Sequence, residues 1–214
     1  MAESPLYLKQ IEVGPMENFV YLIGDKTKRE CVMVDPAWEV DRVLAAAKAD
    51  DMKVTAGLVT HTHFDHVNGL PDLLEKNGGR IYVHANEAPF LKGMKDHIEK
   101  VESGSKLQVG AIEIQFLHTP GHTPGSQCFL VQNRLVSGDT LFINACGRCD
   151  LPGGNAEEMY HSLQKLGRLG DDVLLLPGHN YAESPTSTIG LEKKNNPYYR
   201  CGSLSDFLHQ RMGA

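Results

Sequence analysis

Three histidines and one aspartate fall within residues 61–66, which read His-Thr-His-Phe-Asp-His. The whole chain contains ten histidines, so three in six positions are improbable by chance. Imidazole and carboxylate groups are the usual ligands of catalytic metal ions, which keep one coordination position open, whereas structural zinc is closed by four Cys or His ligands. The segment therefore predicts a metal site. A surface loop with chance histidines is disfavoured.

Further ligand-type residues occur later in the chain, each in a turn that contains glycine. They are His122 in Pro-Gly-His-Thr-Pro-Gly, Asp139 in Ser-Gly-Asp-Thr, and His179 in Pro-Gly-His-Asn-Tyr. Each follows an apolar or strand-like stretch, so we place each of them in a loop at the end of a strand. Such loops present side chains from distant parts of a chain to one site.

These four motifs, in this order, resemble the signature of the metallo-β-lactamase superfamily, and they span nearly the whole chain. The resemblance implies an αββα sandwich with the metal site at one edge of the sheets. It also implies two divalent metal ions. Seven residues match the ligand positions of the family: His61, His63 and His122 for a first ion, Asp65, His66 and His179 for a second, and Asp139 as the bridge between them.

The hydrophobic pattern agrees with helices that flank sheets, and no internal repeat is visible. Strands are predicted at residues 6–14, 18–24, 31–35, 54–60, 80–84, 112–117, 127–131, 134–137 and 173–176. Helices are predicted at residues 40–49, 67–76, 87–92, 156–166 and 206–212. Residues 61–66 then form a strand-to-helix loop, and the amide groups at the start of the helix from residue 67 face the metal site.

Composition favours one enzyme domain over residues 1–214, because 41% hydrophobic residues are enough for a single core. The net charge of −6 argues against a nucleic-acid partner, which would need clustered Lys and Arg. No apolar run approaches membrane-spanning length, and residues 1–5 lack the basic and apolar segments of a secretory leader. We therefore expect a cytoplasmic protein without a membrane partner, and the oligomeric state stays open.

The five cysteines are odd in number and scattered, which does not indicate a disulfide framework. They are Cys31, Cys128, Cys146, Cys149 and Cys201. Cys146 and Cys149 have the spacing of a redox motif, but the sequence Asp-Leu-Pro-Gly-Gly follows instead of a helix. Thioredoxin-like chemistry is disfavoured, and a reversible disulfide between these two residues stays open.

Within the superfamily, the C-terminal half resembles glyoxalase II, the hydroxyacylglutathione hydrolases. The matching stretches are Gly-Asp-Thr-Leu-Phe at 138–142, Ala-Cys-Gly-Arg at 145–148, Ala-Glu-Glu-Met at 156–159 and Gly-His-Asn-Tyr at 178–181. The resemblance implies that Arg148 and Tyr181 contact glutathione. A guanidinium can hold a carboxylate through two hydrogen bonds, and a phenol can donate to the peptide backbone. The alternative for Arg148 is an ion pair with Asp150.

Other features of the chain differ from glyoxalase II. Those enzymes have a C-terminal helical domain that completes the glutathione pocket, and this chain ends soon after His179, which leaves glutathione specificity open. Residues 187–197 resemble the tail of small bacterial glyoxalase II-like hydrolases. The Cys-Gly-Arg-x-Asp stretch at 146–150 also resembles persulfide dioxygenases. Those enzymes use one iron, held by the positions of His61, His122 and Asp139.

The function expected from these residues is dinuclear metal-dependent hydrolysis of a thioester, an acyl-glutathione or a related acyl-thiol. Two adjacent divalent ions lower the pKa of a shared water, and the hydroxide attacks the thioester carbonyl, whose oxygen then gains negative charge. Asp65 orients the hydroxide in this scheme and is the predicted catalytic residue. Zinc is favoured, with iron and manganese as alternatives, because His and Asp ligands suit all three.

Two enzymatic alternatives remain open. One is a mononuclear iron persulfide dioxygenase acting on glutathione persulfide. The other is a different hydrolase of the superfamily, a lactonase or a polyketide-type acyl thioesterase. A non-enzymatic metal-binding protein is disfavoured, because it gives no reason for an open site bridged by a carboxylate.

Overall fold

The first of two central sheets contains six strands, as seen in a computed structural model that describes residues 4–213. Its strands, in spatial order, are β1 (Leu6–Val13), β2 (Asn18–Asp25), β3 (Glu30–Val34), β4 (Lys53–Leu58), β5 (Arg80–His84) and β6 (Ile98–Val101). The first three strands are antiparallel, and β3 to β6 run parallel to one another. The first half of the chain therefore forms one mixed sheet.

The second sheet also contains six strands, all from the second half of the chain. They are β7 (Lys106–Val109), β8 (Ile112–His118), β9 (Gln127–Val131), β10 (Arg134–Gly138), β13 (Leu174–Pro177) and β14 (Ser187–Thr188), and a separate two-stranded ribbon contains β11 (Leu141–Phe142) and β12 (Ala145–Cys146). The spatial order is β14, β13, β10, β9, β8, β7. Only the β10–β13 pair is parallel among the strand pairs of this sheet in residues 4–213.

Helices cover the outer face of each sheet. The first sheet is covered by α1 (Val40–Ala49) and α3 (Leu70–Asn77), which follows the short helix α2 (Phe64–Val67). The second sheet is covered by α4 (Ala156–Leu166), α5 (Ile189–Asn195) and α6 (Leu204–Met212). Helix α1 buries Val40, Val43 and Ala47, a spacing that places all three on one side of a helix.

The side chains of β2 show why the fold has a middle layer between its two sheets. Val20 and Leu22 pack in the core beneath α1 and α3, whereas Phe19, Tyr21 and Ile23 pack in the core between the sheets. Alternate residues of a strand point to opposite faces, and β2 is buried at every position, so both of its faces are covered. The predicted αββα sandwich is confirmed.

The ligand-type residues follow strands that end at the same edge of the sandwich. His61 follows β4, Asp139 follows β10, and His179 follows β13. The two sheets meet here, because Phe19 N donates to Gly178 O at 2.8 Å and Asn18 pairs with His179 in an isolated β-bridge. Residues from both halves of the chain are thereby brought together.

The helix predicted at residues 67–76 is present as α3, but its predicted start at residue 67 was wrong. Residues Phe64–Val67 already form α2, and a second helix begins at Leu70 with Pro71 in its first turn, where a missing N–H costs nothing. Between them, Gly69 N donates to Pro36 O at 3.1 Å, and a Cβ on Gly69 would lie 2.4 Å from Val40 Cγ2. The predicted ligand loop is therefore partly helical, with Asp65 and His66 on α2.

Several edge elements were not predicted. Strands β6 and β7, the ribbon of β11 and β12, strand β14 and helix α5 are all additional, and the helix predicted at 87–92 is only a 3₁₀ turn at Ala88–Phe90. In β6 the charged residues Glu99 and Lys100 are consecutive and both exposed, so the strand has no alternating apolar pattern.

Within residues 4–213 no helix is long and apolar enough to cross a membrane. Residues 1–3, which carry part of the prediction that no secretory leader is present, lie outside the described residues.

Candidate metal centre

Three histidines form the first half of the centre. His61 and His63 follow β4, and His122 lies in the loop after β8. Their ligand atoms all lie within 4.8 Å of one another, and their ring centroids are 4.5–4.8 Å apart. His61 and His122 are buried and His63 is half-buried. The three side chains can therefore hold one metal ion.

A second group of three lies beside the first. Asp65 and His66 come from α2, and His179 follows β13. Their ligand atoms also lie within 4.8 Å of one another. Asp65 Oδ2 is 3.4 Å from the Nε2 atom of each histidine. This group mixes a carboxylate with imidazoles and can hold a second ion.

The carboxylate of Asp139 lies between the two groups. Its Oδ1 atom is 3.4 Å from His66 Nε2, and its Oδ2 atom is 3.5 Å from both His122 Nε2 and His179 Nε2. One carboxylate thus contacts members of both three-residue groups. The close approach depends on Gly178, where a Cβ would lie 2.4 Å from Asp139 Oδ1.

Backbone carbonyl groups orient two of these histidines. His122 Nδ1 donates to Arg148 O at 2.8 Å, and His179 Nδ1 donates to Met16 O at 2.8 Å. A carbonyl oxygen can only accept, so each Nδ1 carries the hydrogen. The Nε2 atom of each ring then faces the centre, and this is the arrangement that orients histidine ligands of metals.

Asp35, which directly follows β3, orients two more histidines, His66 directly and His61 through Thr60. It accepts from His66 Nδ1 at 2.9 Å and from the Thr60 hydroxyl at 2.6 Å, and the same hydroxyl lies 3.1 Å from His61 Nδ1. Asp35 was predicted only as a strand residue. Its position directly after a buried strand that runs parallel to β4 is the signal that could have identified it.

Three buried atoms at the centre have no hydrogen-bond partner among the described residues: His61 Nε2, His122 Nε2 and Asp139 Oδ1. Buried polar atoms are almost always paired, and an unpaired one costs about 1–3 kcal/mol. Two nitrogen lone pairs and a carboxylate oxygen that converge on one space are satisfied by a cation. The residues present therefore fit divalent metal ions.

Burial and neighbouring charges determine the protonation of the centre. Burial, followed by the charge of His66, holds the pKa of His61 well below its usual value, and burial lowers the pKa of His63 as well. Neutral imidazole is the form that binds metals. Burial opposes charge on His66 and Asp139 too, but their mutual attraction outweighs it, so the pKa of His66 is raised and that of Asp139 is lowered. The centre thus favours positive charge beside Asp139.

Asn18 and Trp38 hold Asp65 in place, and the sequence did not indicate this role for either. Asn18 Nδ2 donates to Asp65 Oδ2 at 2.9 Å, and Trp38 Nε1 donates to Asn18 Oδ1 at 2.8 Å. These two hydrogen bonds fix the orientation of the buried side-chain amide of Asn18. Both hydrogen bonds join residues that are distant in the sequence, so no local pattern reveals them.

Arg148, a predicted substrate contact, lies on the loop beside His122. Its backbone carbonyl accepts from His122, whereas its exposed side chain forms two hydrogen bonds with Asp150, Nε to Oδ1 at 3.0 Å and Nη2 to Oδ2 at 2.7 Å. The ion pair that was the alternative for this side chain is present.

Tyr181, the other predicted substrate contact, stacks on His179 with ring centroids 4.6 Å apart and an interplanar angle of 12°. The side chain is 59% exposed. Burial of part of the phenol, and then the carboxylates of Asp139 and Asp65, raise the pKa of Tyr181 to about 12. The hydroxyl therefore keeps its proton at neutral pH and can donate a hydrogen bond.

A small and mainly apolar cavity of about 80 Å³ adjoins this tyrosine. Its lining residues are Phe142, Ile143, Ala145, His179, Tyr181 and Ala182. The cavity therefore places an apolar surface next to one candidate metal ligand.

His118 does not belong to either group of ligands. Its ring stacks on His84 at 3.9 Å and 10°, and its Nε2 atom is 3.0 Å from Pro124 O. Cys146 and Cys149 are free and buried, and burial raises the pKa of both thiols, which disfavours the thiolate that disulfide exchange requires.

Comparison with known proteins agrees with this geometry. Residues 13–179 match the metallo-beta-lactamase superfamily. The chain is 33% identical over 195 residues to the probable polyketide biosynthesis zinc-dependent hydrolase BaeB of Bacillus velezensis, a match that covers 91% of this chain and 87% of that protein.

Two solved structures are similar over nearly their whole length. The crystal structure of ETHE1 from Myxococcus xanthus has a TM-score of 0.87 and 32% identity, with 96% of this chain and 90% of that chain covered. TTHA1623, solved in a di-iron-bound form, has a TM-score of 0.77 and 31% identity, with 89% and 99% covered.

Proposed function

The chain belongs to the metallo-β-lactamase superfamily, and within it we propose that the protein is a dinuclear metal-dependent hydrolase of acyl thioesters. The observation that carries the proposal is the position of Asp139, whose two oxygens contact both three-residue groups. A site for one ion would need only one of the groups, because three protein ligands and an open position complete a catalytic site.

The proposed ligands follow these groups. His61, His63 and His122 hold the first ion, Asp65, His66 and His179 hold the second, and Asp139 is shared. Zinc is favoured by the name of the Bacillus velezensis relative, and iron by the di-iron form of TTHA1623. Manganese has ligand preferences compatible with the same residues.

When bound, a pair of divalent ions supplies a hydroxide nucleophile near neutral pH and a Lewis acid for the carbonyl oxygen. The side chains of the centre orient the reactants. Asp65, fixed by the amide of Asn18, orients the attacking hydroxide and is the proposed catalytic residue. Tyr181 keeps its proton and donates to a substrate carbonyl beside His179.

The cavity beside Tyr181 supports a substrate with an apolar portion, as an acyl thioester has. Arg148 is the proposed contact for a carboxylate on the thiol portion, as in acyl-glutathione. Its ion pair with Asp150 is exposed, and exposed pairs contribute only about 0–1 kcal/mol, so the guanidinium can exchange Asp150 for a substrate carboxylate at little cost.

A mononuclear iron persulfide dioxygenase is the second candidate. The Cys-Gly-Arg-x-Asp stretch at 146–150 supports it, as does the contact between His122 and Asp139, which are ligands in both schemes. The dioxygenase, however, leaves Asp65, His66 and His179 without a role as ligands.

Paired assays on the same preparation distinguish the two candidates. We expect the metal-loaded chain to hydrolyse an acyl-glutathione or another acyl thioester, to lose this activity on chelation, and to regain it with zinc, iron or manganese. Oxygen uptake on glutathione persulfide without thioester hydrolysis would establish the dioxygenase instead. Hydrolysis of a lactone but of no thioester would refute the proposed substrate class.

A further inference from the structure

Glu87 lies in the turn after β5 and is 1% exposed, yet it is not part of any proposed ligand set. Its Oε2 atom accepts from Thr62 N at 2.9 Å and also from the Thr62 hydroxyl. Its Oε1 atom accepts from Gly125 N at 2.9 Å. One buried carboxylate therefore joins two separate loops.

These two loops carry the three histidines of the first group. Thr62 lies between His61 and His63 on the loop after β4, and Gly125 lies on the loop of His122 after β8. The strands before the loops belong to different sheets. From this placement we infer that Glu87 is a positioning residue that sets the distance between the two halves of the first metal site, an inference that rests on the ligands proposed above.

The hydrogen bonds by which Glu87 joins the two loops require a carboxylate. Each oxygen of Glu87 faces a backbone N–H, and a carboxylate offers acceptors on both sides, whereas a glutamine of the same shape has one acceptor and one donor. In Glu87→Gln the amide NH₂ must face either Thr62 N or Gly125 N. One of the two loops therefore loses its hydrogen bond even though the side-chain volume is kept.

Other contacts hold the fold together when the hydrogen bonds of Glu87 are lost. Gln127 N donates to Thr60 O at 2.9 Å, and Gln127 Nε2 donates to Val59 O at 2.8 Å, so the segment directly after β4 stays joined to the start of β9, the strand that follows the loop of His122. Asn86 Nδ2 also donates to Pro124 O at 3.2 Å. The loss of the Glu87 contacts should therefore change the spacing of the histidines more than the overall structure.

Zinc binding by the metal-free chain tests the inference without an activity assay. The comparison is made in a His179→Ala background, which removes a proposed ligand of the second ion and none of the first. There we expect Glu87→Gln to weaken zinc binding roughly 10- to 100-fold, the range observed when groups that orient metal ligands are removed. Zinc affinity is measured by competition with a chromophoric chelator.

Asp25→Asn provides the matched control. Asp25 is also a buried carboxylate that accepts from backbone N–H groups of two segments, those of Thr27 and Ala111. It lies at the opposite end of β2 from Asn18, roughly 23 Å away at 3.3 Å per residue. The control should lower thermal stability without changing the zinc affinity.

Gly125→Ala is a second, independent variant. A Cβ at this position would lie 2.6 Å from Glu87 Cγ and 3.0 Å from its Oε1 atom. The added methyl group therefore displaces the carboxylate of Glu87 while leaving residue 87 itself unchanged. We expect this variant to weaken zinc binding as Glu87→Gln does.

The outcomes separate the inference from the proposed function. Unchanged zinc affinity in both Glu87→Gln and Gly125→Ala, or an equal loss in Asp25→Asn, would overturn the positioning role alone. If the His179→Ala chain with Glu87 intact bound no zinc at all, the proposed ligands would be refuted, and with them the proposed function.

Discussion

Hydrogen bonds made by the Nδ1 atoms of three histidines determine what the centre can bind. His122 and His179 donate from Nδ1 to backbone carbonyls, and His66 donates to Asp35. Each bond fixes a tautomer and leaves Nε2 directed at the centre. The ligand residues are therefore recognisable from the sequence, whereas their orientation depends on partners such as Asp35 that lie elsewhere in the chain.

Asp139→Ala should lose both metal ions and activity together. The reason is that Asp139 is the only side chain proposed to bind both ions, and the loss of a shared ligand should exceed the roughly 10- to 100-fold effect of removing an orienting partner. Metal content by elemental analysis and kcat/KM on a thioester are the measurements. His118→Ala is the control, because its ring stacks on His84 outside both groups of ligands. If the Asp139→Ala chain still bound two metal ions, Asp139 would not be a ligand shared by both.

Arg148→Ala should raise KM for an acyl-glutathione more than it lowers kcat, because the guanidinium is proposed to hold the thiol portion and not the reacting carbonyl. The loss of one charged hydrogen-bond partner costs about 1.5–3 kcal/mol, roughly ten- to a hundredfold in kcat/KM. An acyl thioester without the glutathione carboxylates should be almost insensitive to the substitution.

Asp150→Asn separates the two roles of Arg148. It removes the partner of the ion pair but leaves the guanidinium available, so KM for the acyl-glutathione should stay the same or fall. Equal losses on both thioesters in Arg148→Ala, reproduced in Asp150→Asn, would show that the ion pair is structural and that glutathione is not recognised through it.

At the scale of elements, the apolar runs before the ligand motifs were sufficient to predict the strand ends that build the centre. Strands β3, β4, β10 and β13 all precede residues of the centre, and all were predicted close to their observed bounds. The break between α2 and α3 was not predicted. It depends on the close packing of Gly69 against Pro36 and Val40, a contact between residues distant in the sequence.

Edge strands are the other elements that the sequence did not reveal. Strand β6 pairs with β5 on one side only, and its exposed Glu99 and Lys100 interrupt any apolar pattern. Charged residues are expected on edge strands because they oppose pairing with other chains. Such a strand is defined by its hydrogen-bonded neighbour, so its own residues carry little signal.

Asp25 provides a test of the end of the sandwich opposite the centre. Hydrogen bonds from Ala111 N first, and from the Thr27 side chain next, lower its pKa to about 2. A carboxylate whose pKa is lower in the folded state than in the unfolded state, where it is about 3.9, stabilises the fold fully above pH 4. That stabilisation is lost as the pH falls from about 4 to about 2.

Asp25→Asn should therefore unfold at a lower temperature than the parent chain at neutral pH, and the difference should shrink between about pH 4 and pH 2. Thermal unfolding of the two metal-free proteins across this range is the measurement. A difference that is independent of pH would mean that the carboxylate at position 25 is not held by these hydrogen bonds.

At the scale of the whole molecule, the centre lies where the two sheets meet, so its geometry depends on how the halves are joined. β2 contacts the second sheet through Phe19 and Gly178, and Asn18 reaches Asp65. The motifs predicted the seven ligand-type residues, which the structure brings together. Glu87 and Asn18 could not be predicted, because each acts through residues far away in the sequence.

The metal content of the metal-replete chain shows directly whether the centre is dinuclear. Elemental analysis should give two divalent ions per chain, and a crystal structure of the same preparation should show one ion on each three-residue group with Asp139 between them. A single ion per chain on His61, His122 and Asp139, with Asp65, His66 and His179 uncoordinated, would contradict a dinuclear centre.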